Sequence, residues 1–552
     1  MSLAEELKNV MRGEMDDAPA TLEKYSRDAG LFAVRPEVVC YPEDADDVGT
    51  IVRFAADEKK KGRNISVTAR AAGTDMSGGP LNESIILDMT RHFNRIIEVG
   101  NGYAVVEPGV FYRDFDKATR AAGWELPSYT ASRELNTVGG MVANNSGGEK
   151  NLKYGKTARY VEELEVVLAD GKRHMLRPLG NGDLVRTCEE PSFVGGLYRG
   201  MRELLTENHA VIEANKPQVE KNSSGYALWA MGDGARSIDL ARLMVGAQGT
   251  LGIITRIRFK LVRPTKYSSM VVMFLKDLHE LGALVPGVLA FQPDSFECYD
   301  DNTFKLGVKY FPEFASQMKL GLFSLGIAFL PELWMLLTGG VPKLVLMAEF
   351  RANSQDEALS RARRLEKNVR AAYPDIKVRI AKTEAEARKY WVVRRESFNL
   401  LRKKVKNRRT APFFDDFVVP PQTLPVFLPK LQEILSHYDL FYTINGHVGD
   451  GNLHVIPLID PRQKGVGPML DELAHKIFDL VIENHGSITG EHNDGLVRTP
   501  YVEKMFGAKM YHLFEEVKHL FDPDNIFNPG KKVGGSFIYS SKHLDLPGYA
   551  SR

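Results

Sequence analysis

The chain has 552 residues, more than a single core can organise, so two or more domains are expected. Hydrophobic residues make up 43% and charged residues 26%, the balance of an ordinary soluble globular protein, and a formal net charge of +1 gives no global field to draw the chain onto nucleic acid. Three scattered cysteines, Cys40, Cys188 and Cys298, argue against a disulfide framework and cannot supply the four thiolates of an iron–sulfur cluster.

The opening stretch, MSLAEELKNVMRGEMDDAPA, is polar and acidic. It resembles neither a signal peptide nor a transit peptide, so a cytoplasmic location is expected. Pro42 precedes a helical stretch with Val48, Ile51, Val52 and Ala55 on one face. Strands are expected over 64–69, 84–89 and 103–107, a helix over 111–122, and further strands over 163–169 and 252–261. Pro264 closes this region. Beyond it come strands such as 344–350, charged helices such as 355–373, and a turn at Pro420-Pro421. A last helix, 501–521, leads into FDPDNIFNPGKKV. The chain therefore divides into 1–266, 267–500 and 501–552. Residues 320–340, LGLFSLGIAFLPELWMLLTGG, approach the length of a membrane span, but Pro331-Glu332 splits them. A covered cap helix, a peripheral membrane or partner contact at the inner face, and a true span all remain open for this segment. The basic run 402–409, RKKVKNRR, could help it meet anionic lipid or could be a solvated helix end.

Three glycine-rich stretches stand where a nucleotide pyrophosphate could approach the backbone closely. They are RAAGTDMSGG at 70–79, which follows the strand NISVTA, then TVGGMVANNSGG at 137–148, and GAQGTLG at 246–252. Each alone reads as a plain turn as readily as a phosphate site, and the GxGxxG fingerprint is absent. Their order, with VVEPGV, KYG and GIIT between and after them, resembles the FAD-binding module of the vanillyl-alcohol-oxidase type. The resemblance implies an α+β fold: a two-subdomain FAD-binding module plus an α+β substrate-binding cap domain. Carried over by position, it implies that Arg70, Ala71, Ala72, Gly73, Thr74, Asp75, Ser77 and Gly78 hold the pyrophosphate. It further implies that Pro127, Ser128, Gly140, Asn144, Ser146, Gly147, Tyr154, Gly155 and Ile253 touch FAD. Some relatives tether the flavin through a histidine in the first loop; none occurs in 70–79, so the FAD is expected to be non-covalent.

Residues 441–454 read FYTINGHVGDGNLH. Asp-Gly between apolar runs signals a tight hairpin turn. A hairpin centred on Asp450-Gly451 would set His447 directly opposite His454, with Cβ atoms roughly 5 Å apart, a spacing that suits two imidazoles sharing one divalent cation. Two polar histidines on a sheet face are the plainer alternative. A second cluster, GEHNDG at 490–495, offers Glu491 as a carboxylate completing a two-histidine site for zinc or manganese. It leaves His492 as a general base with an ordinary pKa near 6.5, or as a loop residue bonded to backbone.

HVGDGNLH, GEHNDG and FNPGKK together resemble the FAD-dependent D-lactate, glycolate and D-2-hydroxyglutarate dehydrogenases. That resemblance implies His447, His454 and Glu491 as metal ligands and His492 as the base. It implies Arg394, in WVVR, as the fork for the substrate carboxylate, with Asn528 and Lys532 closing the site. Phe414 stands where the mitochondrial 2-hydroxyglutarate type carries a lysine for the distal carboxylate, which counts against a dicarboxylate. The implied reaction is oxidation of a small D-2-hydroxy acid with hydride transfer to flavin N5. Electrons would leave to an external acceptor, an iron–sulfur protein or a quinone. Two alternatives stay open: a flavin oxidase of an alcohol or sugar using O2, and a flavoprotein subunit that only relays electrons.

Overall fold

The structure, a computed structural model, describes residues 2–309, 340–404 and 408–546. Strands β1 (Glu14–Asp16), β2 (Val38–Tyr41), β3 (Val67–Arg70) and β4 (Ile85–Asp88) form a sheet in the order β1-β2-β4-β3. β4 runs parallel to β2 and β3. Parallel strands covered on both faces read as continuous apolar runs, as VVCY and IILD do. The helix Ala45–Lys60 packs on this sheet through Val48, Ile51, Val52 and Ala55, the face expected from the sequence. Its N-terminus is capped by Asp44, which accepts from the backbone N–H groups of Asp46 and Asp47.

A second sheet, antiparallel, has the order β5-β6-β11-β7-β8. Its strands are β5 (Ile96–Val99), β6 (Tyr103–Val106), β7 (Val161–Val167), β8 (Arg173–Leu176) and β11 (Ile253–Lys260). A small ribbon, β9 (Pro178–Gly180) with β10 (Ser237–Asp239), stands beside it. The helix expected over 111–122 is realised as Tyr112–Ala121. The last long helix, Val502–Phe521, packs into the core of this sheet through Phe506, Met510, Phe514 and Phe521. The chain then returns to the first sheet: Val67 N–H donates to Ile526 O, and Asn528 N–H donates to Val67 O.

The third sheet has eight strands, with β15-β12-β14-β13-β18-β19-β16 in order and β17 paired to β19. These are β12 (Tyr267–Leu275), β13 (Ser295–Asp300), β14 (Leu344–Ala352), β15 (Lys377–Ala381), β16 (Arg409–Thr410), β17 (Phe417–Val418), β18 (Phe441–His447) and β19 (Asn452–Ile459). The helix Glu384–Lys404 lies on one face, where Ala387, Tyr390, Trp391 and Val393 pack against Met270, Val272 and Met347. The fold is α+β, as expected.

The apolar stretch 320–340 lies, apart from Gly340, outside the described residues, as does the middle of the basic run 402–409. Among the described residues no helix is long and apolar enough to cross a membrane. Cys40, Cys188 and Cys298 are buried and unpaired.

Candidate active site

A cavity of about 620 Å³ runs from the glycine loops of the first two sheets to the histidine strands of the third. That size falls in the range of cofactor and ligand clefts. Arg70, Ala71, Ala72, Gly73, Thr74 and Asp75 line it, as do Gly140, Asn144, Ser146 and Gly147, and Asn144 Nδ2 donates to the Glu491 carbonyl at 2.9 Å. The first loop is built by its own side chains. Arg70 turns away from the cavity to donate to the carbonyls of Tyr25 and Arg27. Asp75 Oδ2 accepts from the Ser77 N–H, the Ser77 hydroxyl and the Gly79 N–H. Gly73 has φ +67°, and a Cβ there would overlap the Arg70 guanidinium, so the position requires glycine. The loop thus presents backbone to the cavity, as a pyrophosphate site requires, and these residues fit FAD.

Ser77, Gly78, Pro127, Ser128, Tyr154, Gly155 and Ile253 stand outside the cavity wall, as do Asn528 and Lys532. The last two brace the cavity from behind and do not close it. Asn528 Nδ2 donates to the carbonyls of Gly79 and Gln248, pinning the first and third glycine loops together. Lys532 Nζ is fully buried and donates to Ser223 O, Gly225 O and Asp494 Oδ2. Phe414 is also fully buried in the cap core and does not line the cavity.

The histidine hairpin forms, but in a different register from the one expected. His447 pairs with Asn452, and His454 pairs with Asn445. The turn is longer than Asp450-Gly451: Val448–Asp450 forms a 3-10 turn, and Gly451 follows in the left-handed region at φ +71°. Relative to the expected pairing, the partner of His447 moves by two positions. An even shift preserves the face, so both imidazoles still point to one side as diagonal neighbours, with ring centroids 5.5 Å apart. Potential ligand atoms of His447, His454 and Glu491 lie within 4.8 Å of one another. His447 Nε2 is 3.1 Å from Glu491 Oε1. His454 Nδ1 is buried without a hydrogen-bond partner, an orphan that a cation would satisfy.

Two other triplets have similar spacing, Asp415–His454–His492 and Asp416–Glu491–His492. Asp416 is committed to hydrogen bonds on both oxygens, whereas Asp415 is paired to Arg498 through Oδ1 and leaves Oδ2 without a hydrogen-bond partner. Asp416 Oδ2 accepts from Thr489 Oγ1 and from the N–H groups of Glu491 and His492, while its Oδ1 accepts from Asn452 Nδ2. Asp415 faces the buried Arg498 guanidinium at 2.9 Å and His492 Nδ1 at 3.0 Å. The donor set His447, His454 and Glu491, two imidazoles and a carboxylate, fits a divalent cation.

The electrostatics are strongly shaped by burial. Burial pulls the His454 pKa down to about 4, so this imidazole is neutral at neutral pH. Burial acts in the same direction on His492 and His447, but carboxylates outweigh it. Asp416 and Asp415 hold His492 at about 9, and Glu297 and Glu491 hold His447 at about 9. The ordinary value near 6.5 expected for His492 is therefore not found, because two aspartates face it. Arg394 lines the cavity from the helix Glu384–Lys404, with Nε 2.7 Å from Glu297 Oε2.

Four residues of this centre have no counterpart in the expectations: Lys221, Glu297, Asp415 and Asp416. Lys221 is fully buried, with Nζ 2.5 Å from Glu491 Oε1 and 3.2 Å from Asn452 Oδ1. Asp415-Asp416 breaks an apolar run, PFFDDFVV, which is the signal that could have drawn attention to it. Lys221 sits in an ordinary polar loop and carries no comparable signal.

Residues 36–177 match the FAD binding domain family, and residues 265–532 match FAD linked oxidases, C-terminal domain. The chain is 27% identical over 548 residues to a D-2-hydroxyglutarate dehydrogenase of Pseudomonas putida, covering 96% of this chain and 51% of that protein. It thus spans about half the length of that relative. A D-lactate dehydrogenase of Archaeoglobus fulgidus is 28% identical over 498 residues, covering 90% of this chain and 91% of that one. Among solved structures, the 4-ethylphenol oxidase from Gulosibacter chungangensis superposes with a TM-score of 0.68 at 15% identity, covering 97% of both chains.

Proposed function

This chain belongs to the FAD-linked oxidase family, and on that premise we propose that it is an FAD-dependent dehydrogenase of a small D-2-hydroxy acid, D-lactate or D-2-hydroxyglutarate. The observation that carries the reading is convergence. The arginine, both hairpin histidines, Glu491 and His492 line the same cavity as the glycine loops. The relatives named D-2-hydroxyglutarate and D-lactate dehydrogenase support the substrate class.

Each residue has a task in this reading. Arg394 presents a planar fork to the substrate carboxylate. His447, His454 and Glu491 would hold a divalent cation, zinc or manganese from their nitrogen and oxygen donors. When bound, that cation supplies positive charge that lowers the pKa of the substrate hydroxyl and of His492. His492 accepts the hydroxyl proton at Nε2, with Nδ1 held toward Asp415 at 3.0 Å. FAD, when bound, supplies the hydride acceptor. The first loop, with no histidine to tether it, holds the FAD non-covalently. The electrons pass to an external iron–sulfur protein or quinone.

The experiment that tests this reading is steady-state oxidation of D-lactate and D-2-hydroxyglutarate with a dye acceptor, run beside air-saturated buffer without dye. Turnover is expected with the dye and not with O2. Stoichiometric peroxide at a comparable rate would make the protein an oxidase.

Acid precipitation of the purified protein is expected to leave all the FAD in the supernatant. Flavin retained on the washed pellet would contradict non-covalent binding. Arg394→Lys is expected to raise KM steeply, because a point charge replaces a fork; truncating a buried charge-assisted pair costs about 2–5 kcal/mol. An unchanged KM for every oxidised acid would remove Arg394 from the substrate site.

A further inference from the structure

Glu297 lies on β13, where it is 1% exposed. Strand β13 pairs β18 through Cys298↔Gly446 and Tyr299↔Asn445; the next step of that register sets Glu297 opposite His447. One carboxylate oxygen of Glu297 lies 2.6 Å from His447 Nδ1, and the other lies 2.7 Å from Arg394 Nε. A single buried anion thus spans a proposed metal ligand and the proposed substrate arginine, which come from different elements. Resting on the function proposed above, we infer that Glu297 is a positioning residue that couples the cation site to the substrate-carboxylate site.

The physical basis is geometric on both sides. An acceptor at Nδ1 fixes a His447 proton there and leaves Nε2, 3.1 Å from Glu491 Oε1, as the nitrogen that would meet a cation. Carboxylates in that place orient ligating imidazoles and raise their basicity. On the other side, the ion pair of Oε2 with Nε at 2.7 Å holds the Arg394 guanidinium beside Glu297 by charge, without a hydrogen bond between the two atoms. The helix that carries Arg394 is anchored through Ala387, Tyr390, Trp391 and Val393, one turn or more before or beside it, so Glu297 supplies the contact that sets the tip. Both consequences need the same two oxygens. An amide in this place keeps one acceptor for the Nδ1–H of His447 but carries no negative charge to hold the Arg394 guanidinium.

The test uses the FAD-loaded protein, with Glu297→Gln and Glu297→Asp compared with wild type. Zn²⁺ and Mn²⁺ affinities are measured by equilibrium dialysis with elemental analysis. KM and kcat for D-lactate and D-2-hydroxyglutarate are measured at saturating cation, and flavin absorbance reports that the FAD module is intact. Glu297→Gln is expected to weaken cation binding about 10–100-fold, the range for removing an outer-shell partner of a ligating histidine. It is also expected to raise KM about tenfold or more at saturating cation, in keeping with a displaced arginine. Glu297→Asp keeps the charge and is expected to recover part of both losses. A glutamine variant with wild-type cation affinity, or one whose KM is unchanged once cation is saturating, overturns the coupling. If glutamine fails to retain flavin, the aspartate variant decides: wild-type values for both quantities overturn the proposal, and a joint partial loss supports it. Failure of the underlying reading is separable, because it appears in the wild type as absence of bound cation or of acid-dependent flavin bleaching, whatever residue 297 is.

Discussion

Alanine at His447 or His454 is expected to strip the cation from the protein and abolish turnover while leaving FAD bound. Each change removes one of the three proposed ligands, and neither histidine belongs to the glycine loops that line the same cavity. Lewis-acid stabilisation of a developing alkoxide is worth several kcal/mol, so the rate of flavin reduction should fall about 1,000-fold or more. The two variants differ in a useful way. His454 has a buried Nδ1 without a partner, so its loss removes little beyond the ligand. His447→Ala also deprives Glu297 of a partner at 2.6 Å and is expected to be the less stable protein. Glu491→Gln should fall between wild type and the alanines, since an amide oxygen is a poorer ligand than a carboxylate and also loses the Lys221 ion pair at 2.5 Å. Elemental analysis beside flavin absorbance reads both quantities. Full cation content in His447→Ala would show that the histidines are structural.

His492→Ala is expected to fail differently: cation and FAD stay, and flavin reduction slows. A positioned general base is worth 10²–10⁴ in rate, and no other described imidazole in the cavity is free of the ligand set. His492 stacks on His454 at 5.3 Å, so its removal leaves a gap beside the ligands without removing one. Stopped-flow reduction with a saturating D-2-hydroxy acid is the measurement. A rate within a factor of three of wild type would return His492 to the role of a loop residue bonded to backbone.

The cofactor half of the fold was legible in the sequence because its signals are local. The face Val48, Ile51, Val52 and Ala55 follows from helical spacing, and the strands expected over 84–89 and 103–107 appear as Ile85–Asp88 and Tyr103–Val106. The hairpin was legible in kind and not in register. Asp-Gly suggested a two-residue turn, but Asp450 is drawn toward Lys221, 3.5 Å away, and Gly451 packs where a Cβ would overlap the Val419 carbonyl. The tertiary contacts of those two residues lengthen the turn. The same-face placement of His447 and His454 survived because side chains alternate with a period of two. What could not be read is the electrostatic frame. Glu297 and Lys221 stand 150 and 270 residues from the partners they hold, His447 and Glu491. The shift of His492 to about 9 likewise depends on Asp415 and Asp416, brought in from another strand region. Asn528 and Lys532 illustrate the reverse: motif resemblance placed them in the site, whereas their side chains are spent behind it, on backbone carbonyls and, for Lys532, on Asp494.

Anaerobic mixing of the oxidised protein with a panel of D- and L-2-hydroxy acids, with flavin absorbance followed, shows whether a 2-hydroxy acid delivers its hydride to the flavin in this cavity. Rapid bleaching by D-lactate or D-2-hydroxyglutarate is expected, and none by the L-enantiomers. A flavin that stays oxidised with every D-acid in cation-replete protein, or that bleaches equally with both enantiomers, would contradict it.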